Sequence, residues 1–155
     1  MQCDPKWIPR TEVNPLLFKS MEKILEITTK TFGEWYKTRH HLEEVQIVTL
    51  NSFITKYIPS EGKDEFGKHI DSANIDGSAI CALPTDMEHD WPGLIVWDGT
   101  KAEDGSRPQK TYKLKPGDIC CLDKLVWHRG LPITTGARYV AVLFYECKWK
   151  KLRGI

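Results

Sequence analysis

Arg138-Tyr139-Val140-Ala141-Val142-Leu143-Phe144-Tyr145-Glu146-Cys147 is the stretch on which the fold turns. Apolar, β-branched and aromatic residues dominate it and neither Gly nor Pro interrupts it, so it reads as a strand. Upstream lie further runs of the same texture: Val45–Ile58, Ser78–Leu83, Gly93–Trp97, Thr111–Leu114 and Asp118–Leu122. Between them Pro59-Ser60-Glu61-Gly62, Asp98-Gly99-Thr100 and Pro116-Gly117-Asp118 supply turn residues. About six to eight short strands at this spacing predict a sandwich or barrel.

Ahead of the strands, Asn14-Pro15 provides an N-cap and a first helical residue, and Leu17, Met21, Ile24 and Thr28 follow at helical spacing. A packing helix is expected from about residue 15 to the late thirties, broken near Gly33. The fold class is therefore mainly β with an N-terminal helix. Residues 1–155 are expected to form one domain, with 1–44 as helical support and 45–147 as the β core. A chain of 155 residues with 41% hydrophobic content suits this.

Lys and Arg total 22 against 21 Asp and Glu, so no global field favours nucleic acid, an anionic membrane or an acidic partner. The five cysteines, Cys3, Cys81, Cys120, Cys121 and Cys147, show no C-x-x-C spacing and read as reduced thiols. No apolar run approaches the ~20 residues that span a bilayer, and the first residues lack a signal-like apolar stretch. A soluble intracellular protein, cytoplasmic or nuclear, is the expectation.

Two pieces of sequence carry chemistry. In Phe66-Gly67-Lys68-His69-Ile70-Asp71, His and Asp two apart on an extended strand face the same way and can share a metal ion. Downstream, His128 precedes a turn, and ten residues later Arg138 enters the apolar strand. A buried Arg costs free energy unless an anion meets it. Two His and a carboxylate match the facial triad of non-haem Fe(II). The same residues also fit a zinc site, or two core histidines with a turn-forming aspartate. His40 and His41 follow the helix, where its dipole accounts for them. His89, in an acidic loop, suits a pocket rim better than a buried ligand. Lys148-Trp149-Lys150-Lys151-Leu152-Arg153 reads as a solvated basic tail.

From about Thr49 to Glu146 the chain resembles the catalytic core of the Fe(II)/2-oxoglutarate dioxygenases. The resemblance rests on Tyr57-Ile58-Pro59-Ser60-Glu61-Gly62, His69-x-Asp71-x-x-Asn74-x-Asp76-Gly77, Gly93-Leu94-Ile95-Val96-Trp97, and His128 with Arg138-Tyr139. These are similar to the prolyl-hydroxylase branch, including the oxygen-sensing prolyl hydroxylases. The resemblance implies a double-stranded β-helix, a distorted, cupin-like jelly roll of eight core strands. It implies His69, Asp71 and His128 as iron ligands and Arg138 as the clamp on the C5 carboxylate of 2-oxoglutarate. Tyr57 stands where a cosubstrate-contacting tyrosine is common, although two extra residues separate it from the motif. Thr85 stands at a strand position that often supplies a hydroxyl. Pro92-Gly93 replaces the frequent Gly-Gly. Asn74 and Trp127 are candidate substrate-side residues, with the core as the alternative place for Trp127.

Implied cofactors are Fe(II), 2-oxoglutarate and O2, with ascorbate as reductant, and the implied reaction hydroxylates a C–H bond with release of succinate and CO2. Halogenating relatives lack the carboxylate that Asp71 supplies, so hydroxylation is favoured. The implied substrate is a prolyl or similar residue in a peptide. His-x-Asp-x-x-Asn followed by Gly-Ser also resembles the TET/JBP nucleobase oxygenases, but Glu146 stands where that family usually has His. A free amino acid or small metabolite is a further alternative, as is a non-catalytic metal-binding jelly-roll module.

Overall fold

The computed structural model describes residues 15–59, 67–86, 88–99 and 101–151 of the chain. Within them run one helix and seven strands: α1 (Pro15–Arg39), β1 (Leu42–Tyr57), β2 (Gly77–Ala82), β3 (Leu94–Trp97), β4 (Lys110–Tyr112), β5 (Ile119–Asp123), β6 (Trp127–Gly130) and β7 (Arg138–Lys151). All pairings are antiparallel, in a four-stranded sheet ordered β1-β7-β2-β5 and a three-stranded sheet ordered β4-β3-β6. The predicted class, mainly β behind one N-terminal helix, is what forms. The side chain of Leu17, the Asn14 cap, Cys3, and residues 60–62 and 100 of the expected turns lie outside the described residues, as do Leu152 and Arg153 of the basic tail.

The helix is not broken at Gly33. It runs through to Arg39, because Gly33 serves close approach: a Cβ there would sit 3.1 Å from Cγ1 of Ile47 on β1. Phe32, Tyr36, Leu143 and Tyr145 bury themselves between helix and larger sheet, with the rings of Phe32 and Tyr145 stacked at 4.3 Å. Burying each such side chain contributes about 1.5–3 kcal/mol. At the helix end Arg39 reaches Asp123 at 2.6 Å and Asp98 at 2.9 Å, tying α1 to a strand end of each sheet. His40 is held by Asp123 at 2.9 Å and by the Tyr36 ring, a more specific partnership than the helix dipole.

A second core cluster, Trp91, Leu94, Val96, Leu122 and Ile133, fills the space between the sheets. The long pair β1/β7 runs from Leu42↔Lys151 to Tyr57↔Arg138, with a register shift between Leu42 and Glu44 and a bulge between Thr49 and Asn51. β7 extends past the expected Cys147, so Lys148 and Trp149 belong to a paired strand and not to a free tail, although both side chains are exposed. Among the described residues no helix is long and apolar enough to cross a membrane. Cys81, Cys120, Cys121 and Cys147 are free thiols, and burial pushes Cys120 up to about 11.

Candidate metal centre

His128 lies on β6, where it pairs with Val96 of β3 and turns inward, 4% exposed. Its neighbour in the fold is His69. The two exchange main-chain hydrogen bonds, His69 N–H to His128 C=O at 3.0 Å and His128 N–H to His69 C=O at 2.9 Å. This isolated bridge corrects the expected strand through the His-x-Asp motif: His69 alone pairs, and Asp71 follows in a bend. The bridge brings the imidazoles to 4.4 Å between ring centroids.

Asp71 Oδ1 lies 3.3 Å from Nε2 of His128 and 3.8 Å from Nε2 of His69. One possible ligand atom from each of the three residues falls within 4.8 Å of the others. The remaining ring nitrogens face main chain, His69 Nδ1 at 2.7 Å from Gly67 C=O and His128 Nδ1 at 3.1 Å from Val126 C=O. With Nδ1–H donating to these carbonyls, each Nε2 is the nitrogen left to offer a lone pair to a metal ion once it carries no proton. Ser78 on β2 donates its hydroxyl to Asp71 Oδ2 at 2.5 Å, which fixes the carboxylate and leaves Oδ1 turned to the histidines.

Burial alone would raise the Asp71 carboxyl, but hydrogen bonds from His128 and Ser78 outweigh it and hold the group below its ordinary value. For His128 burial works downward, and the bond to Asp71 wins, raising the imidazole. A divalent cation would replace that shared proton. Two imidazoles and one carboxylate on a common centre suit Fe(II), with positions left open for further ligands.

Arg138 opens β7 and is 6% exposed. Its guanidinium lies 3.4 Å from the Trp91 ring centroid and 5.6 Å from that of Tyr57. Its Nε has no hydrogen-bond partner, and among the described residues no carboxylate pairs with it. Burial pushes it down to about 10, with Tyr57 acting weakly in the other direction. A buried guanidinium on an aromatic face with an unsatisfied N–H is suited to an anion supplied from outside the chain. Tyr57 is its register partner, so strand pairing brings the two together despite the longer spacing to the motif.

Two expectations require correction. Thr85 does not stand on a strand, since β2 ends at Ala82, where the chain turns away after Leu83 N–H bonds Tyr139 C=O. Trp127 is not in the core: alternation with inward His128 sends it outward, 44% exposed. Asn74 is exposed in a turn, its N–H donating to Ser72 Oγ at 3.1 Å. Ser78 and Trp91 are the contributors that sequence reasoning missed. Ser78 carried no local signal; Trp91 could have been suspected only as a large aromatic near a turn.

The loop from His128 to Arg138 is anchored on the segment around Asp90: Thr134 N–H donates to Asp90 C=O at 2.9 Å and Asp90 N–H to Thr135 C=O at 3.2 Å. Gly136, at φ +78°, passes so close to Glu88 C=O that a Cβ would meet it at 1.9 Å. That approach holds the chain on course between the last ligand-like histidine and the guanidinium.

No protein-family profile matches the chain, and no curated protein matches its sequence. Among solved structures it is similar to an oxidoreductase of the 2OG-Fe(II) oxygenase family from Burkholderia pseudomallei, with a TM-score of 0.59 and 19% sequence identity. The similarity covers 86% of this chain and 59% of that one, so the chain spans less than two thirds of its neighbour's length. The protein thus has the fold seen in a 2OG-Fe(II) oxygenase family oxidoreductase.

Proposed function

We propose that the protein is an Fe(II)- and 2-oxoglutarate-dependent oxygenase whose two sheets are the halves of a double-stranded β-helix in one domain. His69, Asp71 and His128 hold the iron, and Arg138 with Tyr57 receives the distal carboxylate of 2-oxoglutarate. The observation that carries this reading is the pairing of two features in one fold: a His-Asp-His cluster within 4.8 Å and a buried guanidinium whose Nε lacks a partner. A zinc site or a relict module explains the first and leaves the second without a reason.

When bound, iron with 2-oxoglutarate and O2 supplies oxidation of a C–H bond to C–OH, with succinate and CO2 as co-products. The chain's own part is positioning and electrostatics. Ser78 and the two main-chain carbonyls orient the ligands, and Trp91 stacks beneath the guanidinium so that its edge is free for a carboxylate. The inter-sheet cluster, with Val96 paired beside His128, keeps water from the inner side.

For the substrate we favour a prolyl or similar residue in a peptide, on the motif resemblance around His69 and Arg138. The test is succinate formation from 2-oxoglutarate with Fe(II) and ascorbate, followed by a screen of peptides, nucleosides and amino acids for a gain of one oxygen. Wild type should form succinate, and His128→Ala and Asp71→Ala should not. Equal succinate from wild type and both variants would refute the assignment.

A further inference from the structure

β3 and β6 place Trp97 directly opposite Trp127, one residue along from the pair Val96↔His128. Because side chains alternate, the two indoles share the outer face of the smaller sheet while His128 points inward. The segment that brings His69 and Asp71 crosses beside them, and Lys68 lays its ammonium over both rings, 4.3 Å from the Trp97 centroid and 5.8 Å from that of Trp127. His69, the next residue, sends its imidazole to the other side of the same backbone, toward His128.

Among the described residues a single bridge of two hydrogen bonds attaches the His69 backbone to β6. An isolated bridge sets the angle of a segment less firmly than a continued ladder does. The Lys68 ammonium on the indoles gives a second attachment point on the face opposite the imidazole, so the two together fix the direction of His69. We propose that Lys68, gripped by Trp97 and Trp127, is a positioning residue for His69, an inference that rests on the metal-binding reading of the triad. Lys68 touches neither metal nor substrate in this role. It also gives the outward Trp127 a contact that core packing does not supply.

Two measurements on the full chain test this. Amide hydrogen exchange at His69 in the metal-free protein reads the bridge directly, and Co(II) titration reads the ligand set. A cation–π contact of ordinary strength corresponds to about a fivefold change in an equilibrium. Lys68→Ala should therefore speed His69 exchange about fivefold and weaken Co(II) binding about fivefold, leaving the global unfolding midpoint nearly unchanged. Lys68→Arg should restore both, since a guanidinium also stacks on indole. Trp97→Leu should reproduce the loss, and in the Lys68→Ala background should add little to it. Unchanged His69 exchange in Lys68→Ala, or a loss that Lys68→Arg does not restore, overturns the proposal. A wild-type protein that takes up no Co(II) overturns the metal reading itself, and the exchange measurement separates that failure from failure of the Lys68 contact.

Discussion

Arg138 and His69 are held in different ways. Arg138 begins a 14-residue strand paired with β1 along its length and with β2 from Val140 to Tyr145, backed by the helix through Phe32 and Tyr36. Among the described residues the main chain of His69 pairs at one bridge, and its side chain meets Gly67 C=O and Asp71 beside the grip of its neighbour Lys68. The position of the guanidinium is thus a property of the whole larger sheet, and few local changes can move it. The position of His69 depends on a handful of contacts, and segments of that kind open locally at low free-energy cost. A metal ion bound by His69, Asp71 and His128 would supply the order that the backbone there lacks.

The sharpest way to break this contrast is to damage the scaffold behind the guanidinium. Phe32→Ala removes a fully buried ring stacked on Tyr145 and should cost about 3–5 kcal/mol of stability, read by chemical denaturation. His69→Ala, by contrast, should leave the denaturation midpoint of the metal-free protein close to wild type.

Next in size is Arg138→Met. It should weaken 2-oxoglutarate binding by about 2–5 kcal/mol in calorimetry on the metal-loaded protein, with metal affinity little changed. Because the guanidinium is buried with no carboxylate beside it among the described residues, the same substitution should hold or raise the stability of the ligand-free protein. Arg138→Lys should fall between, a point charge being unable to reproduce the fork. Undiminished 2-oxoglutarate binding by Arg138→Met would move the clamp to another residue.

Ser78→Ala tests the link between the two regions, since Ser78 belongs to the rigid sheet yet bonds Asp71 on the lightly held segment. Loss of a hydrogen bond to a charged group should weaken Mn(II) binding by about 1.5–3 kcal/mol, with a smaller change in the unfolding midpoint.

The smallest expected effect is the pH dependence of the metal-free fold. His128 is raised by Asp71, so its contribution is full below the unfolded-state value and is lost as pH rises through the folded-state value. Asp71 is lowered, so its contribution is present above the unfolded-state value and is lost as pH falls through the folded-state value. Between those limits the pair should stabilise the metal-free protein by on the order of 1 kcal/mol. Metal binding runs the other way, since His128 must give up its proton, and affinity should fall as pH drops below the raised value. A denaturation series across pH in chelator, repeated on His128→Gln, measures the first; a Mn(II) titration series measures the second.

The strands were legible because β-branched and aromatic runs end at turn residues, and each predicted run matches an observed strand to within a few residues. The His-Asp-His cluster and the buried guanidinium were legible for a different reason: His, Asp and Arg in an otherwise apolar setting need partners, and their chemistry narrows what those partners can be. What escaped were features set by register. Ser78 meets Asp71 because β2 lies beside β7, and Trp91 meets Arg138 because the loop after His128 is bonded to the segment around Asp90. Neither pairing has a local signature. Gly33 was misread because its small size serves a neighbouring strand, not its own helix. Trp127 was recoverable, since inward His128 obliges its neighbour to face outward.

The bulge in β1 has a consequence for how the two faces of the larger sheet are written in sequence. Before it, odd-numbered Val45, Ile47 and Thr49 pair with Trp149, Cys147 and Tyr145, on the side of the helix; after it, odd-numbered Phe53, Thr55 and Tyr57 pair with Val142, Val140 and Arg138, on the side of the guanidinium. Leu50, half exposed, is the single extra residue that inverts the phase. Without it Thr49↔Tyr145 and Asn51↔Phe144 would be consecutive pairs of a regular ladder, and Tyr57 would still lie opposite Arg138. One inserted residue thus exchanges odd for even positions in the code for which side chains of β1 face the helix, while the partners on β7 alternate undisturbed.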